Sequence, residues 1–88
     1  MIQILTIENE KGLHARASAK FVETVEAFDA EAEVTKDGMS VAGNSIMGLM
    51  MLAASKGCQI EVETTGAQEE SLAAAIKVLL ADYFGEAK

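Results

Sequence analysis

Strand and helix signals in the order β-α-β-β-α-β-α predict an α+β fold, an open-faced two-layer sandwich with one sheet face covered by helices and the other facing water. Two observations lead there. Short segments alternate apolar and polar residues with a period of two, the signature of half-buried strands. Between them lie longer segments whose apolar residues recur at helical spacing. With 88 residues, half of them hydrophobic, the chain is long enough for one aliphatic core, so residues 1–88 are expected to form a single domain.

The first strand is expected at Ile2–Ile7, a β-branched run followed by the polar stretch Glu8–Gly12. A helix follows over Ala15–Ala27, where Phe21, Val22, Val25 and Phe28 share one apolar face. Glu31–Lys36 reads as a second strand, with Ala32 and Val34 alternating against Glu33 and Thr35. Asp37-Gly38 is a strong two-residue hairpin signal, so Met39–Ala42 should return antiparallel to it. After the break at Gly43-Asn44-Ser45, Ile46 to Leu52 predict a short helix capped by Asn44 or Ser45, with Ile46 and Leu49 inward and Gly57 as its C-terminal cap. Gln59–Thr64 is the fourth strand, placing Ile60 and Val62 inward and Glu61 and Glu63 in water. Thr65-Gly66 turns the chain into a last helix over Gln68–Phe84. Leu72, Ile76, Leu79, Leu80 and Tyr83 line its buried face, and Glu69 and Glu70 complement its N-terminal dipole.

Composition excludes several classes. Fourteen acids against seven bases give a net charge of −7, the wrong sign for binding nucleic acid or an anionic membrane surface. No apolar run approaches membrane-spanning length, and the start lacks the basic segment of a signal peptide, so a cytoplasmic protein is expected. A single cysteine, Cys58, allows no internal disulfide; with one histidine beside it in the whole chain, no metal site and no cofactor are expected. Protein partners or small anions remain as targets.

The one histidine is the most informative residue. Gly12-Leu13-His14-Ala15-Arg16-Ala17-Ser18 places it at or just before a helix N-terminus, where backbone N–H groups lack partners and the helix dipole favours negative charge. Arg16 stands two residues on, and Lys11 and Lys20 complete a small basic island on an acidic body. Imidazole is a competent nucleophile that is neutral near pH 7, and a phosphoramidate hands its phosphoryl group on where a serine ester does not. The pattern therefore suits a phosphoryl group carried on His14 and stabilised by Arg16. Of Met47, Met50 and Met51, some are expected to be exposed as an adaptable docking patch, because a helix this short cannot bury every side.

With Gly12-Leu-His-Ala-Arg16 and Asn44-Ser-Ile-Met-Gly48 the chain resembles the HPr family, the histidine phosphocarriers of the bacterial phosphoenolpyruvate-dependent phosphotransferase system. The resemblance covers nearly the whole chain. It implies a four-stranded antiparallel sheet in the order 1-4-2-3 with three helices on one face. It implies that His14 accepts phosphate on Nδ1 from phosphorylated enzyme I and passes it to a histidine of an enzyme IIA domain. Ser45 matches the serine that an HPr kinase/phosphorylase modifies. Gly12, Ala15, Lys20, Met47 and Met50 are the expected partner-binding residues. Such a protein is a carrier acted on by other enzymes, most simply a monomer, rather than an independent enzyme. Two departures stand out. Ala17 replaces a usual proline, and Glu23 and Glu26 stand where members serving sugar transport often carry lysine. Together with the net charge, these glutamates point to a regulatory branch such as the nitrogen-related system.

Two other readings fit the same residues. One is an interaction module controlled mainly by Ser45 phosphorylation, with no sugar-transport role and His14 secondary. The other is a ligand-binding sandwich with no phosphate chemistry, for which the sequence shows no apolar pocket beyond an ordinary core.

Overall fold

A computed structural model describes all residues, Met1–Lys88. The elements run β1 (Ile2–Thr6), α1 (Ala15–Glu26), β2 (Glu31–Lys36), β3 (Met39–Ala42), α2 (Ile46–Met51), β4 (Gln59–Thr65) and α3 (Glu69–Ala81), ending in a tight turn at Tyr83–Gly85. The sheet is wholly antiparallel in the order β1-β4-β2-β3, as the resemblance implies.

Register follows from the pleat. On one face Ile60, Val62, Ala32 and Val34 join Phe21, Val25, Leu49, Leu72, Ile76 and Leu80 in one core. Gln3 ties β1 to α3 by donating to the Ala73 carbonyl at 2.8 Å. On the wet face Ile2 pairs with Glu63, Ile4 with Glu61, and Glu33 with Glu63 across the strands. Asp37 (φ 50°) and Gly38 (φ 82°) both adopt the left-handed backbone that a primed hairpin turn needs, which is why this dipeptide joins β2 to β3.

Four details depart from the sequence reading. Ile46, expected in the core, is 41% exposed, because α2 has one inward side and Leu49 fills it. Gly57 does not cap α2. The helix ends at Met51, Ala53 takes the left-handed position (φ 52°), and Gly57 sits in the turn before β4, donating its N–H to the Ile7 carbonyl at 2.8 Å. The last helix stops at Ala81 rather than continuing to Phe84, since Tyr83 and Phe84 both turn to a φ of 54°. That reversal rotates Tyr83 outward, 40% exposed, and drives Phe84 fully into the core in its place.

Candidate functional site

The loop before α1 is built around one backbone contact. Gly12 has φ +64°, and a Cβ on it would lie 2.3 Å from the Ala54 carbonyl oxygen, so only glycine lets the chain pass here. Directly after it, Leu13 donates its N–H to that same carbonyl at 2.9 Å and buries its side chain. The left-handed Ala53 presents this carbonyl, so the end of α2 anchors the entry to α1. Gly12 itself is buried, a correction to its expected place on the partner-facing surface: it shapes that surface and does not line it.

His14 is the N-cap of α1, with extended backbone (φ −75°, ψ −178°) and a side chain that does not cap the helix. The Ser18 N–H donates to the His14 carbonyl at 2.9 Å, and the Ser18 hydroxyl donates to the Leu13 carbonyl at 3.2 Å. The ring is half-buried and its backbone is held on both sides, while the N–H groups of the first helical turn stay uncapped at its flank. This is the helix-end imidazole that the sequence suggests.

The ring has a partner that the sequence reading missed. Glu86 Oε2 lies 2.5 Å from His14 Nε2. Its other oxygen, Oε1, accepts from the Asn9 amide at 3.1 Å, and the same Asn9 Nδ2 donates to the Gly12 carbonyl at 2.9 Å. The tail that carries Glu86 is pinned by buried Phe84 and by the Glu86 N–H donating to the Tyr83 carbonyl at 2.9 Å. Burial pushes the Glu86 carboxyl up, but the hydrogen bonds from His14 and Asn9, with the nearby charges of His14 and Lys11, outweigh it and hold the group below its ordinary value. Asn9 sits in the polar stretch Glu8–Gly12, which in the sequence only bounds the first strand; its place three residues before Gly12 is the sole sequence hint. Nothing near Glu86 in sequence signals its partner.

Two hollows meet at the histidine. One, of about 420 Å³, is lined by Lys11, His14, Arg16, Glu86 and Lys88. Arg16 is exposed and makes no intramolecular ion pair, so its guanidinium is available to an incoming anion. The other, of about 290 Å³, brings His14 together with Met50, Leu13 and Ala53. Beyond Met50 the exposed side of α2 continues through Met47, 75% exposed, and Met51, 66% exposed. Ala15 is exposed on the first turn of α1. Lys20 lies apart, its ammonium beside Gly85, where it borders a groove of about 750 Å³ between α1 and α3. That groove holds none of His14, Arg16 or Glu86.

Ser45 caps α2. Its Oγ accepts from the Gly48 N–H at 3.0 Å, as the sequence predicts, and it stands next to exposed Ile46 and Met47. Glu23 and Glu26 are exposed on α1.

Residues 2–82 match the family described as "PTS HPr component phosphorylation site". The phosphocarrier protein HPr of Neisseria meningitidis serogroup A is 54% identical over 84 residues, covering 96% of this chain and 94% of that protein. The phosphocarrier protein NPr of Escherichia coli K12 is 44% identical over 85 residues, with the same shares covered. The crystal structure of HPr-C-His from Thermoanaerobacter tengcongensis superposes with a TM-score of 0.94 at 36% identity, covering 100% of this chain and 99% of that one. An imidazole held at an uncapped helix end, on a fold and a sequence shared along almost the full length of these phosphocarriers, leads to one conclusion: the chain belongs to the HPr family of phosphotransferase-system phosphocarriers.

Proposed function

We propose that His14 Nδ1 accepts a phosphoryl group from phosphorylated enzyme I and passes it to a histidine of an enzyme IIA domain. The observation that carries this reading is the contact between Glu86 Oε2 and His14 Nε2. A carboxylate is an acceptor only, so it selects the tautomer with hydrogen on Nε2. The lone pair then lies on Nδ1, the nitrogen that must attack phosphorus. As the bond from Nδ1 to phosphorus forms, the bond from phosphorus to the donor breaks and its electron pair stays with the donor. The ring keeps its Nε2 hydrogen and becomes cationic, a charge that the Glu86 carboxylate offsets. Arg16 and the first-turn N–H groups of α1 are placed to meet the phosphoryl oxygens, and Lys11 adds positive charge nearby. Met47, Met50 and Ala15 supply an apolar docking surface for both partners in turn. The protein acts in the cytoplasm as a monomeric carrier.

A regulatory output is favoured over sugar transport by Glu23 and Glu26, exposed on α1, and by the similarity to NPr. Ser45 provides a second control. A phosphate on its hydroxyl is compatible with the start of α2 but sets a double negative charge beside Met47, which opposes docking. The alternative, a module governed mainly by Ser45 with His14 idle, leaves the His14–Glu86 contact without a role.

The test is to mix the protein with enzyme I, phosphoenolpyruvate and Mg²⁺ and measure its mass. One added phosphate, lost in acid, stable in base and absent from His14→Ala, is the expected result. An acid-stable adduct formed only with ATP and the kinase supports the alternative.

A further inference from the structure

We propose that Asn9 is a positioning residue for phosphoryl transfer, its side-chain amide holding Glu86 against His14 so that the ring keeps its hydrogen on Nε2 and its lone pair on Nδ1. This inference rests on the carrier reading of His14.

Asn9 is fully buried, at 0% exposure. Its Nδ2 has two hydrogens and each has a partner: the Gly12 carbonyl at 2.9 Å and Glu86 Oε1 at 3.1 Å. Both partners are acceptors, so the position demands a group that donates twice. An aspartate of the same shape would set its oxygen against a carbonyl and a carboxylate at once. The other half of the amide, Oδ1, is buried with no hydrogen-bond partner. A buried acceptor left unpaired is a cost to the fold, and an apolar residue here would avoid it. What the amide provides is the link itself. On one side it fixes the loop that delivers His14; on the other it fixes the carboxylate that orients the ring. The two oxygens of Glu86 are thereby divided, Oε1 to Asn9 and Oε2 to His14. Without the first bond the carboxylate is free to rotate away from Nε2. The hydrogen bonds of Asn9 go to Gly12 and Glu86 and none to the His14 ring, so its effect runs through Glu86.

The experiment compares Asn9→Ala and the isosteric Asn9→Asp with the unaltered protein, each also in a Glu86→Ala background. The first readout is the proton spectrum of His14 in the unphosphorylated protein, at a pH where the ring is neutral. In the unaltered protein the Nε2 hydrogen, bound to a carboxylate, is expected as a downfield signal that exchanges slowly with water. Both Asn9 variants should lose it while the backbone amide spectrum of the sheet is retained. The second readout is the rate of phosphate acceptance from enzyme I. Asn9→Ala should lower it about tenfold through misplacement of the ring, and the same change should have little further effect when Glu86 is already alanine. An Nε2 signal that persists in Asn9→Ala, or a rate loss of equal size in both backgrounds, overturns the proposal, the latter because it would mean that only the bond to Gly12 matters. The spectral readout needs no phosphoryl donor, so it decides the positioning of the ring separately from whether His14 is a carrier.

Discussion

The carboxylate of Glu86 reaches His14 Nε2, at 2.5 Å, across a separation of 72 residues in sequence. Most of what the site can do follows from that contact. Replacing Glu86 by Gln keeps the shape and an oxygen acceptor but removes the charge proposed to offset the cationic phosphorylated ring. Acceptance of phosphate should slow by about tenfold, in the range of one positioned charged hydrogen bond. Stopped-flow or quench-flow transfer from enzyme I measures it; an unchanged rate would show that the carboxylate is structural only.

Acid should loosen the same contact. Because the Glu86 carboxyl is held below its ordinary value in the folded protein, it contributes stability that is fully present above that ordinary value and is lost as pH falls through the lower folded value. The difference in urea midpoint between the unaltered protein and Glu86→Gln should therefore shrink as pH falls below about 4.5. A difference that grows as pH falls below about 4.5 would contradict the assigned direction.

Gly12 admits no side chain. With φ +64° and the Ala54 carbonyl 2.3 Å from the Cβ position, Gly12→Ala must displace either the loop or the end of α2. A loss of about 2–4 kcal/mol is expected from backbone strain plus the clash. Urea unfolding provides the number, and phosphate acceptance should fall with it because His14 moves with the loop.

Ser45 separates capping from charge. Ser45→Ala removes the bond to the Gly48 N–H and should cost about 1 kcal/mol of stability with little effect on transfer. Ser45→Asp retains an acceptor for the cap, so stability should hold while acceptance from enzyme I declines. Equal transfer rates in both variants would remove charge at Ser45 as a control.

Arg16 and Met47 are both solvent-facing and carry no part of the core, so Arg16→Ala and Met47→Ala should leave the urea midpoint unchanged. Their kinetic signatures should differ. Arg16→Ala should lower the transfer rate at saturating enzyme I if, as proposed, its guanidinium meets the phosphoryl group. Met47→Ala should raise the apparent KM by roughly tenfold or less, as loss of an apolar docking contact does. Steady-state kinetics against enzyme I concentration distinguish the two.

What the sequence makes legible is local. Period-two alternation places Ala32, Val34, Ile60 and Val62 inward, Asp37-Gly38 names its hairpin, the cap of α2 is narrowed to Asn44 or Ser45, of which Ser45 serves, and Gly12 to Ser18 mark the helix end that carries His14. What it hides is of two kinds. Ala53, Tyr83 and Phe84 adopt positive φ against their own preference, held there by tertiary contacts that no neighbour in sequence announces, and this is why the last helix reads too long and Tyr83 appears on its buried face. Asn9 and Glu86 are joined to the site through space, from opposite ends of the chain, so a reading by motif and spacing finds His14 and Arg16 without the pair that orients the ring.

The position of the phosphoryl group on the ring is the most direct test. Protein labelled with ¹⁵N in the histidine ring, phosphorylated through enzyme I and kept at alkaline pH, should show coupling between ³¹P and Nδ1, with Nε2 still bearing hydrogen. Coupling to Nε2, the nitrogen that faces Glu86, or phosphate found only away from His14, would contradict the orientation on which the whole account depends.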